Sequence, residues 1–276
     1  TGLATVAKHF PVVCSLHDLW WLTGHCAYGM ECVRWQTGCG ACPDLDRYPA
    51  VSRDGTAWNW TRKKKFFEQN PINLIAPSEW VRRQTEESPI LSGCAVSVVP
   101  NPIDVETFTA NDREGARNRL NVQLKQPTIL VAANHLASPF KGAHQAIEVI
   151  NGLADNQVDV LVLLVGKNCD ELARRINIPS RSLGYISDVE SMADCYRSAD
   201  VFLVPSKVET FGLVAAEAVA CGTVVASFYG GGLQEVVRTG HGIAVPDGDS
   251  KQLTQAVRSL LENPDERAAR VAQGRQ

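Results

Sequence analysis

Val201-Phe-Leu-Val-Pro-Ser-Lys-Val-Glu209-Thr-Phe-Gly-Leu-Val-Ala-Ala-Glu217-Ala-Val-Ala-Cys-Gly222 changes character twice within one short segment. Val201–Val204 is a continuous apolar run, the pattern of a strand buried on both faces, and Pro205 and Ser206 end it. From Phe211 to Ala220 the residues are small and helix-favouring, with Gly222 as the stop. The spacing predicts a strand, a loop and a helix. At the helix start the backbone N–H groups of Phe211, Gly212 and Leu213 have no partners within the helix and carry the positive end of its dipole, which suits a phosphate. Glu209 stands beside whatever that phosphate carries. Glu217 lies further along, where a carboxylate can accept hydrogen bonds from vicinal hydroxyls such as those of a ribose.

Taken singly, Glu209 reads as a cap and Glu217 as a solvated helix residue. Their neighbours argue otherwise: Ala215, Ala216, Ala218 and Ala220 allow close helix packing, and Gly212 lets a ligand approach the backbone. Paired catalytic carboxylates that flank one bond stand roughly 5–5.5 or 6.5–9.5 Å apart. Eight residues of helix rise about 12 Å, so these two acids read as two contacts on one extended ligand.

The segment resembles the signature of the retaining, nucleotide-sugar-dependent glycosyltransferases of the GT-B fold, family 4. That signature is a Glu, seven residues and a second Glu, with Phe-Gly after the first and Ala-x-Gly after the second. All of it is present here, from Glu209 to Gly222. The resemblance implies an α/β architecture of two Rossmann-like, doubly wound domains facing a cleft.

The 276 residues suffice for two domains. A hydrophobic content of 45% and a charged content of 21% are those of an ordinary globular protein, and the net charge of −3 argues against a general nucleic-acid binder. No apolar stretch approaches the ~20 residues of a membrane span and no signal-peptide pattern opens the chain, so a cytoplasmic setting is expected. Strand-like runs before residue 105 are Val12–Leu16, Asn73–Ala76 and Ala95–Val99. After it come Thr128–Ala132, Asp159–Val165, Asp200–Val204, Thr223–Ser227 and Gly242–Val245. Residues 105–276 read as a whole nucleotide-sugar-binding domain, and residues 1–104 as part of an acceptor-side domain that lacks its front. Thr1 to Phe10 reads as the end of a helix, and a closing helix is expected to be clipped near Gln276. Val98-Val-Pro-Asn-Pro-Ile-Asp104 and Phe108 form an extended connector between the two, similar to the family's interdomain hinge.

Other candidate residues follow strand ends, where ligands collect in open α/β sheets. His17, directly after the run ending at Leu16, matches the family's His-Asp motif, which implies contact with the donor sugar. Lys141-Gly142, at a predicted helix start, suits a diphosphate, to which Lys offers a point charge. The family usually carries an Arg after this strand; here Asn134 or His135 takes that place, leaving one cation fewer. Leu183–Ile186 reads as a short core strand, in which the resemblance assigns Tyr185 and Ile186 to the nucleotide base. Gly231-Gly-Leu-Gln-Glu235 resembles the family's Gly-Gly-x-x-Glu loop, although a flexible turn explains the glycines nearly as well. Thr210 completes the set around the phosphate.

Cys26, Cys32, Cys39 and Cys42 are four of nine cysteines, separated by five, six and two residues, with Gly38 and Gly40 in the last knuckle. That spacing fits a structural zinc site in a reducing compartment, with free thiols as the other reading. The remaining cysteines read as small buried hydrophobes. Arg62-Lys-Lys-Lys65, between Trp58, Trp60 and Phe66-Phe67, is expected at a solvated helix start; the alternative is peripheral contact with anionic lipid at the inner membrane face.

The sequence therefore predicts a glycosyltransferase that moves a sugar from a nucleotide diphosphate to a sugar, lipid-linked or small-molecule hydroxyl acceptor, with retention. His17 and Glu209 are its catalytic candidates, and no catalytic metal or other cofactor is required. A nucleotide-sugar 2-epimerase and an inactive nucleotide-sugar-binding fragment are the alternatives.

Overall fold

A computed structural model describes residues 2–70, 72–136, 138–154, 159–238 and 241–273. The terminal residues Thr1 and Gln276, near which helix ends were expected, lie outside that set. The chain divides into two compact units, Thr1–Asn101 and Pro102–Gln276. No described helix is long and apolar enough to cross a membrane.

Unit 1 contains α1 (Gly2–His9), β1 (Val13–Ser15), α2 (Thr56–Gln69), β2 (Asn73–Ala76), α3 (Glu79–Glu86) and β3 (Val96–Val98). Its strands form a parallel sheet in the order β1-β2-β3. Leu16, Leu22, Trp35, Trp60, Phe67, Leu74 and Val81 make its core. Between β1 and α2 the chain has only two short 3-10 turns, Trp20–Leu22 and Arg34–Gln36. Helix α2 begins where the Asp54 carboxylate accepts from both the backbone N–H and the hydroxyl of Thr56, at 3.0 and 2.6 Å. The basic run 62–65 is thus in mid-helix rather than at a helix start, and the helix period splits it. Trp58 is 65% exposed with Arg62 over its ring, whereas Trp60, Lys63 and Phe67 are buried.

Unit 2 contains α4 (Arg113–Arg119), β4 (Thr128–His135), α5 (Ala143–Asn151), β5 (Leu161–Lys167), α6 (Cys169–Ala173), β6 (Ser180–Gly184) and α7 (Val189–Ser198). It continues with β7 (Val201–Val204), α8 (Leu213–Ala220), β8 (Val224–Phe228), α9 (Leu233–Val237), β9 (Gly242–Val245), α10 (Ser250–Glu262) and α11 (Pro264–Gln273). The six described strands are parallel, in the order β6-β5-β4-β7-β8-β9. Successive strand residues point to opposite faces. Ile129, Val162, Leu203 and Ala226 pack with α5, α6 and α10, and Leu130, Leu163, Phe202 and Val225 pack with α7, α8 and α9. Burial on both faces is why β7 reads as an unbroken apolar run and β8 as one interrupted by Ser227 alone.

Several strand limits differ from expectation, among them the starts of β5 at Leu161 and of β6 at Ser180. β4 and β5 continue to a His135–Lys167 pair because Gly166, at φ +133°, lies so close to Ala133 that only a glycine fits. β6 ends at Gly184, whose φ of +73° turns the chain, so Tyr185 and Ile186 lie beyond the strand rather than within it.

Candidate functional site

Counted from β4, the strand order of unit 2 reverses between the first and fourth strands, β4 and β7. Where an open parallel sheet changes direction, the loops leaving two adjacent strands diverge to opposite faces and open a crevice at their carboxyl ends. The loop after β4 delivers Lys141, and the loop after β7 delivers Glu209. Lys141 Nζ and Glu209 Oε1 are 2.7 Å apart.

Backbone contacts hold both loops in place. Gly142 adopts φ +67°, and a Cβ there would stand 1.9 Å from the Pro205 carbonyl oxygen, so the two loops touch at a position only glycine can occupy. The Lys207 N–H donates to the Phe140 carbonyl at 2.9 Å. Glu209 donates through its N–H to Gly230 O at 3.2 Å, accepts from the Gly232 N–H at 2.8 Å, and bridges Gly231 as a parallel pair. The glycine run 230–232 is therefore a seat for the Glu209 main chain.

Helix α8 starts at Leu213, capped by Gly212 in the left-handed conformation with no side-chain bond. Thr210 is buried, Phe211 half-buried and Leu213 exposed. Its first amides follow Glu209 closely in the chain. One turn further, Tyr196 Oη on α7 donates to Glu217 Oε2 at 3.0 Å. Burial pushes the Glu217 carboxyl above its usual range, and the tyrosine bond opposes that rise.

Asn134 and His135 are exposed at the end of β4, and neither side chain carries a guanidinium. Tyr185 is 54% exposed, with Lys167 Nζ 5.4 Å from its ring centroid, and Ile186 packs on the core. A pocket of about 530 Å³ opens beside the seam, lined among others by Ser138, Gly142, His144, Asn168, Arg175 and Lys207. The motif reading missed Tyr196 and Lys207, since neither belongs to the two-glutamate pattern; the apolar surroundings of Tyr196 in α7 mark it only as core.

In unit 1, His17 is exposed immediately after the buried Leu16, whose N–H donates to Ile75 O at 2.9 Å. Cys26, Cys32, Cys39 and Cys42 line one small cavity together with His25. All four are free thiols, and Cys42 Sγ lies 3.4 Å from His25 Nε2. Among the described residues, no group of three or more His, Cys, Asp or Glu side chains is placed to hold a metal ion. Burial pushes the Cys39 thiol up to about 11.

The sequence profile described as "Glycosyl transferases group 1" matches residues 112–276. The D-inositol 3-phosphate glycosyltransferase 1 of Catenulispora acidiphila is 33% identical over 183 residues, covering 61% of this chain and 44% of that protein. The lipopolysaccharide 1,2-N-acetylglucosaminetransferase of Salmonella typhimurium is 28% identical over 221 residues, covering 74% and 57%. The crystal structure of Anabaena HepE in complex with UDP-glucose superposes with a TM-score of 0.69 at 21% identity, covering 98% of this chain and 68% of that one; the likeness is one of fold. The chain spans about half the length of the curated relatives it matches. With parallel α/β units of the GT-B class, it belongs to the group 1 glycosyltransferases.

Proposed function

We propose that the β4–β7 seam binds the diphosphate of a nucleotide sugar, and that the protein transfers the sugar to a hydroxyl acceptor with retention of anomeric configuration. The observation that carries this reading is the 2.7 Å ion pair between Lys141 and Glu209, one residue from each side of the seam. An ammonium has three donors, so bonding to Glu209 leaves two for phosphate oxygens. The amides at Phe211 to Leu213 supply further donors at a helix start. Names of relatives and neighbours that act on inositol phosphate and lipopolysaccharide, or that bind UDP-glucose, support a nucleotide-sugar donor and a role in glycoconjugate or polysaccharide synthesis.

In this scheme the bond from the anomeric carbon to the diphosphate oxygen breaks as the acceptor oxygen bonds to the same face of that carbon. The acceptor proton passes to the departing phosphate. Charge accumulates on that diphosphate, so preorganised donors around it are the main catalytic lever. Glu209 orients the sugar while fixing Lys141, and Glu217 takes the ribose.

A panel of nucleotide sugars assayed with anomer-resolved product analysis tests the proposal. Glu209→Ala is expected to lower kcat by about 10²–10³, whereas Glu217→Ala raises KM for the donor with little change in kcat. Unchanged kinetics in both variants, or a product sugar still attached to its nucleotide, would overturn it.

A further inference from the structure

Tyr196 is a buried polar group that this chemistry leaves unexplained. Its side chain has no solvent exposure, yet it ends in a hydroxyl, and burying a hydroxyl is costly unless it is hydrogen-bonded. The bond it makes goes to Glu217 Oε2 at 3.0 Å. The ring cannot drift: Phe202 and Phe108 stand edge-on to it with centroids at 5.4 and 6.0 Å, and its carbonyl accepts from Thr223 Oγ1 at 2.5 Å. Phe108 follows the connector that enters unit 2, and Arg197, next to Tyr196, donates to the carbonyls of Thr107 and Thr109 on either side of it. Connector, tyrosine and glutamate thus form one packed row.

Glu217 takes part in no ion pair among the described residues, and no described hydrogen bond reaches its Oε1. A glutamate with neither partner would rotate about its last torsion, a broad and soft one. With Oε2 tied to a fixed phenol, the carboxylate plane is set and Oε1 is presented free. Two vicinal hydroxyls need two acceptor lone pairs in one plane, which an oriented carboxylate supplies.

We infer that Tyr196 is a positioning residue for the nucleotide: by holding Glu217 Oε2 it aligns the carboxylate for paired ribose hydroxyls and makes the site select ribonucleotides over deoxyribonucleotides. This rests on the reading above that Glu217 takes the ribose. A tyrosine that merely fills the core would leave the ribose preference untouched when its hydroxyl is removed.

Calorimetric titration of the chain with UDP, GDP and ADP, each beside its 2′-deoxy analogue, separates the two. The unaltered chain is expected to prefer the ribo form of the nucleotide it binds by about tenfold or more, the worth of one hydrogen bond to a charged group. Tyr196→Phe keeps the packing and should cut that preference to within about threefold, leaving 2′-deoxy affinity unchanged. Glu217→Gln, which can still accept from Tyr196, should lose the preference as well, and the double variant should lose no more than either single one. In donor turnover, Tyr196→Phe should raise KM and spare kcat. Full preference in Tyr196→Phe alongside its loss in Glu217→Gln would overturn the positioning role alone. Full preference in Glu217→Gln would overturn the ribose assignment and this inference with it. If Tyr196→Phe does not fold, Phe108→Leu, which loosens the ring but keeps the hydroxyl, should reduce the preference part way; an unchanged preference there counts against the role.

Discussion

Residues 201–222 of unit 2, a strand with the loop and helix that leave it, and residues 17–55 of unit 1, which follow a strand end, are built in opposite ways. The first is positioned by backbone: a strand buried on both faces, a loop seated on glycines 230–232, and a helix beginning at Leu213. The second has almost no regular structure and is positioned by side chains reaching into it from α2. Trp60 Nε1 donates to Trp35 O at 2.7 Å, Asn59 reaches the Gly24 carbonyl, and Lys63 donates to the carbonyls of Trp20 and Thr23. A ladder places charged groups reproducibly with little side-chain help. An irregular segment of such length is ordered only as far as its anchors hold.

That contrast can be broken at the anchors. Trp35 is 7% exposed in the unit 1 core, and Trp35→Ala is expected to destabilise unit 1 by about 3–5 kcal/mol, leaving nucleotide affinity in unit 2 unchanged. Denaturant unfolding followed by tryptophan emission, with titration of nucleotide into the same sample, checks both halves. Gly142→Ala probes the backbone-built region. Its left-handed φ and its Cβ facing the Pro205 carbonyl predict a loss of about 1–3 kcal/mol. Because Lys141 is the next residue, nucleotide binding should weaken in step with stability. Binding unaltered in a destabilised Gly142→Ala protein would sever the link between loop contact and lysine placement.

The smallest expected effect concerns Lys63, which burial pushes down to about 7 while its ammonium sits 3.3 Å from the Trp20 ring centroid. A lysine whose pKa is lower when folded binds more protons unfolded, so stability falls as pH drops toward 7 and rises as pH climbs above it. Between pH 7 and 8.5, unit 1 should gain up to ~1 kcal/mol per pH unit, and Lys63→Met should flatten that slope. Chemical denaturation at three pH values in that window is the measurement; equal slopes in the two proteins would place the charged form in the fold.

The same contrast explains what the sequence made legible. Nearly every strand of unit 2 was readable because double burial demands unbroken apolar runs, and both glutamates were readable because they lie at fixed offsets from glycines that the backbone requires. Tyr196 was not, because a phenol that orients a distant carboxylate looks like any other core aromatic in α7. Nor was the burial of Lys63: within a basic run, only the helix period and the carbonyls of a remote loop decide which lysine turns inward. Four cysteines within a short span were visible, and their convergence on one cavity with His25 came from turns at Met30, Cys39 and Ala41, whose left-handed backbone no local pattern announces.

The register between β4 and β7 has a mechanical consequence. Only Ile129–Val201 and Leu130–Phe202 pair across that line, where β7 and β8 share four such rungs. A molecule gripped by Lys141 on one side and Glu209 on the other would bind over the thinnest join of the sheet, acting as a rivet. Its arrival would then register as stiffening of the whole sheet against shear, felt far from the charges that hold it.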